Sequence, residues 1–181
     1  MRISIQNKFF AGITILLSVM LFGFSQMKAP ETPTTLDDGE TIYMTRCMSC
    51  HQTDGAGIAG VFPPLNETEW VVGDKGRLIR IVLDGMMGET EVQGVVYSGA
   101  MPPWKSFLSD AEVAAVLTYI RNAWDNEASA VTPQEVGLVR KATKDRTSAW
   151  SAEELKQKEN LGIPGSFSFL AAPADTSGGP K

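Results

Sequence analysis

Residues that bind soft metals or form disulfides are scarce in this sequence. Its 181 residues include two cysteines and one histidine. A structural zinc site usually takes four ligands from cysteine and histidine, so the chain lacks the ligands for one. The βαβ pattern that surrounds a thioredoxin-like redox pair is also absent, which excludes that use of the two thiols.

A basic surface and a phosphate-binding loop are missing as well. Residues 37–128 contain six basic side chains against fourteen acidic ones, a net charge of −8, and the whole chain carries −5. Proteins that bind nucleic acids need a basic surface for the phosphates, so nucleic acid is excluded as a partner. Without a glycine-rich phosphate loop, the sequence also offers no site for a nucleotide-driven reaction.

Long hydrophobic runs are limited to one, near the N-terminus. It covers residues 9–24, a length of 16 residues, whereas a membrane-spanning helix prefers about 20 apolar residues. Gly23 and Ser25 have the spacing of a cleavage site, so residues 1–25 are predicted to be a signal peptide. An uncleaved anchor through residues 9–24 is the alternative. Both interpretations place the rest of the chain in the periplasm, either soluble after cleavage or tethered to the inner membrane.

Composition divides the remaining chain into four segments. Residues 26–36 are polar and rich in proline, which predicts a flexible tether. Residues 37–128 are predicted to form the main domain, and residues 129–160 a helical C-terminal extension. Residues 161–181 are rich in Gly, Pro, Ser and Ala, and this composition predicts a disordered tail.

Three helices are predicted in the main domain. Their ends are marked by capping residues: Asp37 or Asp38 for the first, Asp74 and Gly85 for the second, and Ser109 with Glu112 for the third. The apolar spacing of the third helix continues to Trp124, and Asp125 and Asn126 are predicted to stop it. Residues 52–73 and 85–108 are predicted to be loops, with a short hairpin as an option in the second. Because no long strand-like alternation occurs, the predicted fold class is all-α.

The C-terminal extension carries two more helix-start signals. Thr132 with Glu135 and Ser151 with Glu154 have the capping-box spacing, so two short helices are predicted. Val136, Val139 and Trp150 indicate that the extension packs on the main domain or on a partner.

The two cysteines and the histidine are Cys47, Cys50 and His51, so all three lie within five positions. A structural disulfide would fit an exported protein but would give His51 no role. Cys-x-x-Cys-His is the attachment motif of c-type haem, in which both thiols bond to the haem and the imidazole ligates the iron. Long loops are uncommon in a compact domain of this size, and a central haem would support them. We therefore predict one haem c, bound covalently through Cys47 and Cys50.

The iron then needs a sixth ligand or an open position. A second histidine does not exist, and methionine is the other common ligand in such proteins. Methionines beside the motif cannot reach the opposite face, which leaves Met86, Met87 and Met101. Met101 precedes Pro102 and Pro103, which hold an extended backbone, and is favoured as the ligand. Met86 and Met87 are interpreted as packing residues.

Four sequence segments resemble the class I (mono-haem) bacterial cytochromes c over residues 37–126. They are the pattern Gly-x-x-x-Tyr-x-x-x-Cys-x-x-Cys-His, "GAGIAGVFPPLN", "YSGAMPPW" and "LSDAEVAAVLTYIRNAW". The resemblance implies the cytochrome c fold, with three main helices and long loops around one covalently bound haem. It also implies that Gly39 and Tyr43 cross the last helix near Val116 and Tyr119.

The resemblance assigns further residues to the haem pocket. Pro63 and Leu65 match the family's Pro-x-Leu, whose proline carbonyl would accept a hydrogen bond from His51. Tyr97 would bond a haem propionate, with core packing as the alternative. Apart from the resemblance, Trp70 and Trp104 are candidates to border the haem, with filling of the core as the alternative. Arg80 would either neutralise a propionate or lie exposed on its helix.

These assignments predict an electron-transfer protein rather than an enzyme. The chain would carry single electrons between periplasmic or membrane redox proteins, with the iron alternating between Fe(II) and Fe(III). A dedicated cytochrome c subunit of a larger respiratory, dehydrogenase or reductase complex is one alternative. A haem enzyme or gas sensor, with five-coordinate iron, is the other.

Overall fold

The computed structural model describes residues 36–165, which belong to one compact unit. The segment predicted as a signal peptide or anchor (1–25) lies outside the described residues, as do residues 26–35 of the predicted tether and residues 166–181 of the predicted tail. Across the described range, no helix combines the length and apolarity needed to cross a membrane. The domain boundaries remain predictions.

Seven helices, one two-stranded sheet and a short 3₁₀ turn follow one another in the described residues. The elements are α1 (Leu36–Arg46), α2 (Met48–His51), α3 (Glu69–Val72), α4 (Lys75–Asp84), β1 (Met86–Val92), β2 (Val95–Met101), α5 (Asp110–Ile120), α6 (Pro133–Ala142), α7 (Ala152–Lys156) and the 3₁₀ turn (Lys158–Asn160). Asp37 and Asp38, predicted as the cap of the first helix, lie within α1 instead.

Helices α1 and α5 cross in close contact at Gly39. A Cβ atom at Gly39 would lie 2.4 Å from the carbonyl oxygen of Ala115 and 2.8 Å from the Cβ of Tyr119. One turn further along α1, Tyr43 is fully buried, and its ring centroid lies 5.6 Å from that of Tyr119. The predicted contact of Gly39 and Tyr43 with the last helix near Tyr119 is therefore confirmed.

Helix α4 packs in the hydrophobic core, and its capping residues are the predicted ones. The Asp74 side chain accepts a hydrogen bond from the backbone N–H of Arg77, and Gly85 follows the last turn with φ = 78°. Its apolar side chains are buried, with Ile79 and Leu83 fully inaccessible to solvent. This packing fixes the direction in which the chain leaves the helix at Gly85.

A β-hairpin occupies the segment predicted mainly as loop, so the all-α class is wrong here. Strands β1 and β2 pair antiparallel over seven residues each, from Met86 opposite Met101 to Val92 opposite Val95. Gln93 and Gly94 form the two-residue turn, both with positive φ (51° and 77°), as tight hairpins require. The sequence signal was weak because glycines interrupt the alternation. The described residues therefore form a helical fold with one small sheet.

Helix α5 has the predicted capping box but ends earlier than predicted. Ser109 and Glu112 exchange side chain–backbone hydrogen bonds, as expected. The helix stops at Ile120, and Trp124 lies beyond it with φ = 56°. The buried Asn126 side chain donates to the carbonyl of Ile120 at 2.8 Å, which ends the helix by an interaction that apolar spacing does not reveal.

The C-terminal extension packs on the main domain. Helices α6 and α7 start with the predicted capping boxes. Val136 and Val139 are fully buried in the main core, and Trp150 is buried beside the hairpin. Residues 161–165 contradict the predicted disorder in part, because Gly162 donates its N–H to Asp74 at 2.8 Å and accepts from Arg80 at 3.1 Å.

Candidate haem site

The Cys-x-x-Cys-His segment forms a tight turn at the end of α1. The backbone N–H groups of Cys50 and His51 both donate to the carbonyl of Cys47, at 3.1 and 3.0 Å. The hydroxyl of buried Tyr43 donates to the carbonyl of Gln52 at 2.5 Å and secures the end of the turn. No disulfide joins Cys47 to Cys50. Burial, and to a smaller extent Cys50, raises the pKa of Cys47 to about 11.

The imidazole of His51 is oriented by a backbone carbonyl. Its Nδ1 lies 3.0 Å from the carbonyl oxygen of Pro63, the bond that the family resemblance implies. With the proton of neutral imidazole on Nδ1, the Nε2 lone pair is free to ligate a metal. Burial lowers the pKa of His51, although the bond to Pro63 acts in the opposite direction. The neutral, ligating form is therefore favoured at neutral pH.

Gly57 allows the loop that carries Pro63 to approach this turn. Its φ is +66°, and a Cβ there would lie 2.3 Å from the carbonyl oxygen of Phe62. The N–H of Gly57 donates to the carbonyl of His51 at 3.1 Å. Only glycine combines this backbone conformation with so close an approach.

A cavity of about 200 Å³ opens in front of the turn. Its lining is mostly apolar and includes both cysteines, His51 and, from the end of strand β2, Met101. The structure thus brings together the four residues that the sequence assigned to haem attachment and iron ligation, from segments fifty positions apart.

Of the other residues assigned to the pocket, most line the cavity and one does not. Pro63, Leu65, Tyr97, Trp70 and Trp104 line the cavity. Arg80 does not line it: this side chain is 3% exposed and donates to the carbonyl of Gly162 in the extension. The interpretation of Arg80 as an exposed helix charge is therefore wrong, because Gly162, 82 positions away, lies against it.

Met86 lines the cavity as well, which sequence reasoning did not anticipate. It is the cross-strand partner of Met101, so the two side chains lie on one face of the hairpin. Met87 faces the other side and is 59% exposed. The register of the hairpin distinguishes Met86 from Met87, because it places their side chains on opposite faces. The sequence would have given this register only if both strands had been predicted.

The hydroxyl of Thr90 indicates which kind of group the cavity could hold. Its hydroxyl oxygen is buried and has no hydrogen-bond partner among the described residues, and Thr90 lies opposite Tyr97 on the face that lines the cavity. A buried hydroxyl without a partner is unfavourable by about 1–3 kcal/mol. A haem fits this setting, because it fills apolar space and carries propionates that accept hydrogen bonds. Threonine inside a hairpin has no sequence signature, so Thr90 was missed.

A bare metal ion does not suit the same region. Within residues 36–165, no group of three or more His, Cys, Asp or Glu side chains lies close enough together to hold an ion. Paired thiols, one imidazole and an apolar cavity instead define a protein with covalently attached haem.

Comparison with known proteins agrees with this definition. The family model described as cytochrome c matches residues 36–124. Cytochrome c-552 of Thermus thermophilus is 44% identical over 91 residues, which cover 48% of this chain and 68% of that protein. The chain belongs to the cytochrome c family, and its cofactor is haem c.

Subunits of larger enzymes are similar over a smaller share of their length. The gluconate 2-dehydrogenase cytochrome c subunit of Pantoea cypripedii is 36% identical over 111 residues, covering 57% of this chain and 24% of that subunit. The cytochrome c subunit of the quinone alcohol dehydrogenase of Gluconobacter oxydans is 33% identical over 92 residues, covering 50% of this chain and 19% of that subunit.

Proposed function

We propose that the protein is a one-electron carrier in which His51 and Met101 would ligate the iron of a single haem c. The observation that supports it is the convergence of both thiols, the imidazole and a thioether on one apolar cavity. Haem c supplies an iron that takes up and releases one electron.

His51 and Met101 are assigned as ligands because each is held by its own segment. The bond to Pro63 orients the His51 ring, and Met101 is followed by two prolines in a tethered loop. A Cβ at Gly85 would lie 2.7 Å from the carbonyl oxygen of Met101, so this loop lies directly against the end of α4. Fixed ligands keep the structural change on electron transfer small. Met86 also lines the cavity, but no proline restrains the backbone after it.

The cavity walls contribute by excluding water. Apolar side chains such as Val82, Leu117 and Ile120 line the interior. A low-dielectric site disfavours the additional positive charge of Fe(III), so these residues favour the reduced state and raise the reduction potential. Tyr97 and Thr90 are the proposed hydrogen-bond donors to a propionate.

A combined electrochemical and carbon monoxide experiment tests the proposal. The purified full-length protein should show one reversible one-electron wave, and acidified acetone should leave the haem on the polypeptide. The reduced protein should not bind carbon monoxide, because Met101 fills the sixth position. Ready binding of carbon monoxide would contradict the carrier and support the five-coordinate enzyme or sensor.

A dedicated subunit of a redox complex is the second candidate function. It is supported by the similarity to subunits of two dehydrogenases and by the packed extension, which offers a surface beyond the haem domain. Purification from native membranes separates the two candidates. A soluble carrier elutes alone, whereas a subunit elutes with a larger redox enzyme.

We also propose that the domain works in the periplasm. The predicted signal peptide or anchor supports this location, and bacterial redox proteins in that compartment or in the membrane would be its partners. Fractionation of cells, with N-terminal sequencing of the mature protein, would test both the location and the cleavage.

A further inference from the structure

The loop that follows Met101 is tied to the C-terminal extension by a lysine. We call residues 101–105 the ligand strap. At its end, the Nζ of Lys105 lies 2.8 Å from Oδ1 of Asp84 and donates to the carbonyl of Thr143 at 2.5 Å. The Asp84 carboxylate is only 3% exposed, so this pair is largely removed from water. Lys105 thereby connects the strap to the end of α4 and to the extension at once.

The backbone of the strap is fixed at the same place. The N–H of Trp104 donates to the carbonyl of Val82 at 2.9 Å, and the N–H of Lys105 donates to the carbonyl of Leu83 at 3.0 Å. These carbonyls belong to the last turn of α4 and have no partner inside the helix. The strap therefore completes the helix end, and its position depends on α4.

Trp150 of the extension reaches Asp84 from the other side. Its indole N–H donates to Oδ2 of Asp84 at 3.4 Å. Its backbone N–H donates to the carbonyl of Gly85 at 3.0 Å, and its carbonyl accepts from the N–H of Met87 at 2.8 Å. One buried carboxylate thus receives a donor from the strap and a donor from the extension.

We propose that Asp84, Lys105 and Trp150 are positioning residues that hold the Met101 thioether at the cavity. The two donors are held firmly at the buried carboxylate of Asp84. If either donor moved away, the carboxylate would remain buried with less compensation of its charge, which is unfavourable. The C-terminal extension is therefore part of the apparatus that keeps the ligand in place. Thr143 and Trp150 lie outside the residues matched by the family model, so the tie is a property of this extension. The inference rests on the proposed ligation by Met101.

Binding of imidazole to the oxidised holoprotein measures this role. Imidazole reaches the iron only when Met101 leaves, so its association rate reports how often the strap opens. Lys105→Met removes the Nζ and keeps the length of the side chain. Lys75→Met is the matched control, because Lys75 also pairs with a carboxylate and donates to a carbonyl of the extension, Ala130 O at 3.1 Å. The two lysine side chains are 23% and 24% exposed, respectively.

Lys105→Met should bind imidazole about tenfold faster than the wild type, as expected for loss of one charge-assisted hydrogen bond. Lys75→Met should bind imidazole at the wild-type rate, even if its free energy of unfolding is as low as that of Lys105→Met. Equal rates in the two variants would overturn the inference while leaving the ligation intact. A wild type without the sulfur-to-iron charge-transfer band would overturn the ligation itself.

Trp150→Phe provides a second variant if Lys105→Met does not fold. It removes the indole donor but keeps an aromatic ring under the guanidinium of Arg146, whose Cζ lies 3.4 Å from the ring centroid. Imidazole should bind this variant faster than the wild type, by a smaller factor than for Lys105→Met. An unchanged rate would contradict the role of Trp150.

Discussion

Gly39 of helix α1 contacts Ala115 of helix α5 so closely that a Cβ on the glycine would lie 2.4 Å from the alanine carbonyl oxygen. The obstacle is backbone, which cannot rotate away as a side chain can. The crossing positions α1, and α1 ends at Arg46, directly before Cys47, so the geometry of haem attachment depends on this contact.

Gly39→Ala should therefore destabilise the protein, although alanine is the better helix former. Overpacking of a fixed contact lowers the free energy of unfolding by about 1–3 kcal/mol. Urea unfolding of the holoprotein measures the change.

Gly137→Ala is the matched control for that substitution. Gly137 is also helical, but a Cβ there would meet only the carboxylate of Asp110, at 3.0 Å from Oδ2. The substitution should leave stability unchanged or raise it by up to about 1 kcal/mol. Equal losses for both variants would contradict the steric account of Gly39.

The capping box of α5 should make stability depend on pH. The N–H of Ser109 donates to Glu112 at 2.8 Å, and this bond, with one from the Ser109 hydroxyl, lowers the pKa of Glu112 below its ordinary value of 4.5. Because the folded-state pKa lies below the unfolded one, the stabilisation is complete above pH 4.5 and is lost as the pH falls through the folded-state pKa.

Glu112→Gln tests this dependence, since glutamine keeps the capping geometry but does not titrate. The free energy of unfolding should fall less steeply below pH 4.5 in the variant than in the wild type. Urea unfolding at several pH values between neutral and acidic gives both slopes. Identical slopes would show that Glu112 makes no contribution.

Arg121 should stabilise the folded protein, because its guanidinium donates several hydrogen bonds. It is 2% exposed, and its guanidinium donates to the carbonyls of Gly73, at 3.1 Å, Ser129, at 2.8 Å, and Val71. Arg121→Met would leave these buried acceptors unpaired and lower the free energy of unfolding by about 2–4 kcal/mol.

Arg121→Lys separates the contribution of the several guanidinium hydrogen bonds from that of the positive charge. Lysine retains the positive charge, but a single ammonium group cannot reach all the carbonyls that Nε and Nη1 of Arg121 bond. Most of the loss measured for Arg121→Met should remain in this variant. Full recovery of stability with lysine would indicate that the charge alone matters.

Local signals in the sequence predicted much of the helical framework. The cap at Asp74 and the three capping boxes depend on residues three positions apart, so they could be identified without knowledge of the fold. The haem motif was equally clear because its chemistry is contained in five consecutive positions, 47–51.

Features that depend on distant partners were not predictable in the same way. The burial of Arg80 depends on Gly162, 82 positions away, and the cavity-facing position of Met86 depends on its pairing with Met101. The hairpin belongs to this group as well, because its stability comes from cross-strand pairs rather than from the weak alternation of each strand.

The sulfur-to-iron charge-transfer band of the oxidised holoprotein tests the central claim, axial ligation by Met101, most directly. We expect the wild type to show the band, Met86→Ala to retain it, and Met101→Ala to lose it while the haem stays attached through Cys47 and Cys50. The Met101→Ala protein should also have a lower reduction potential and bind carbon monoxide when reduced. A band that survives Met101→Ala and disappears with Met86→Ala would contradict the assignment.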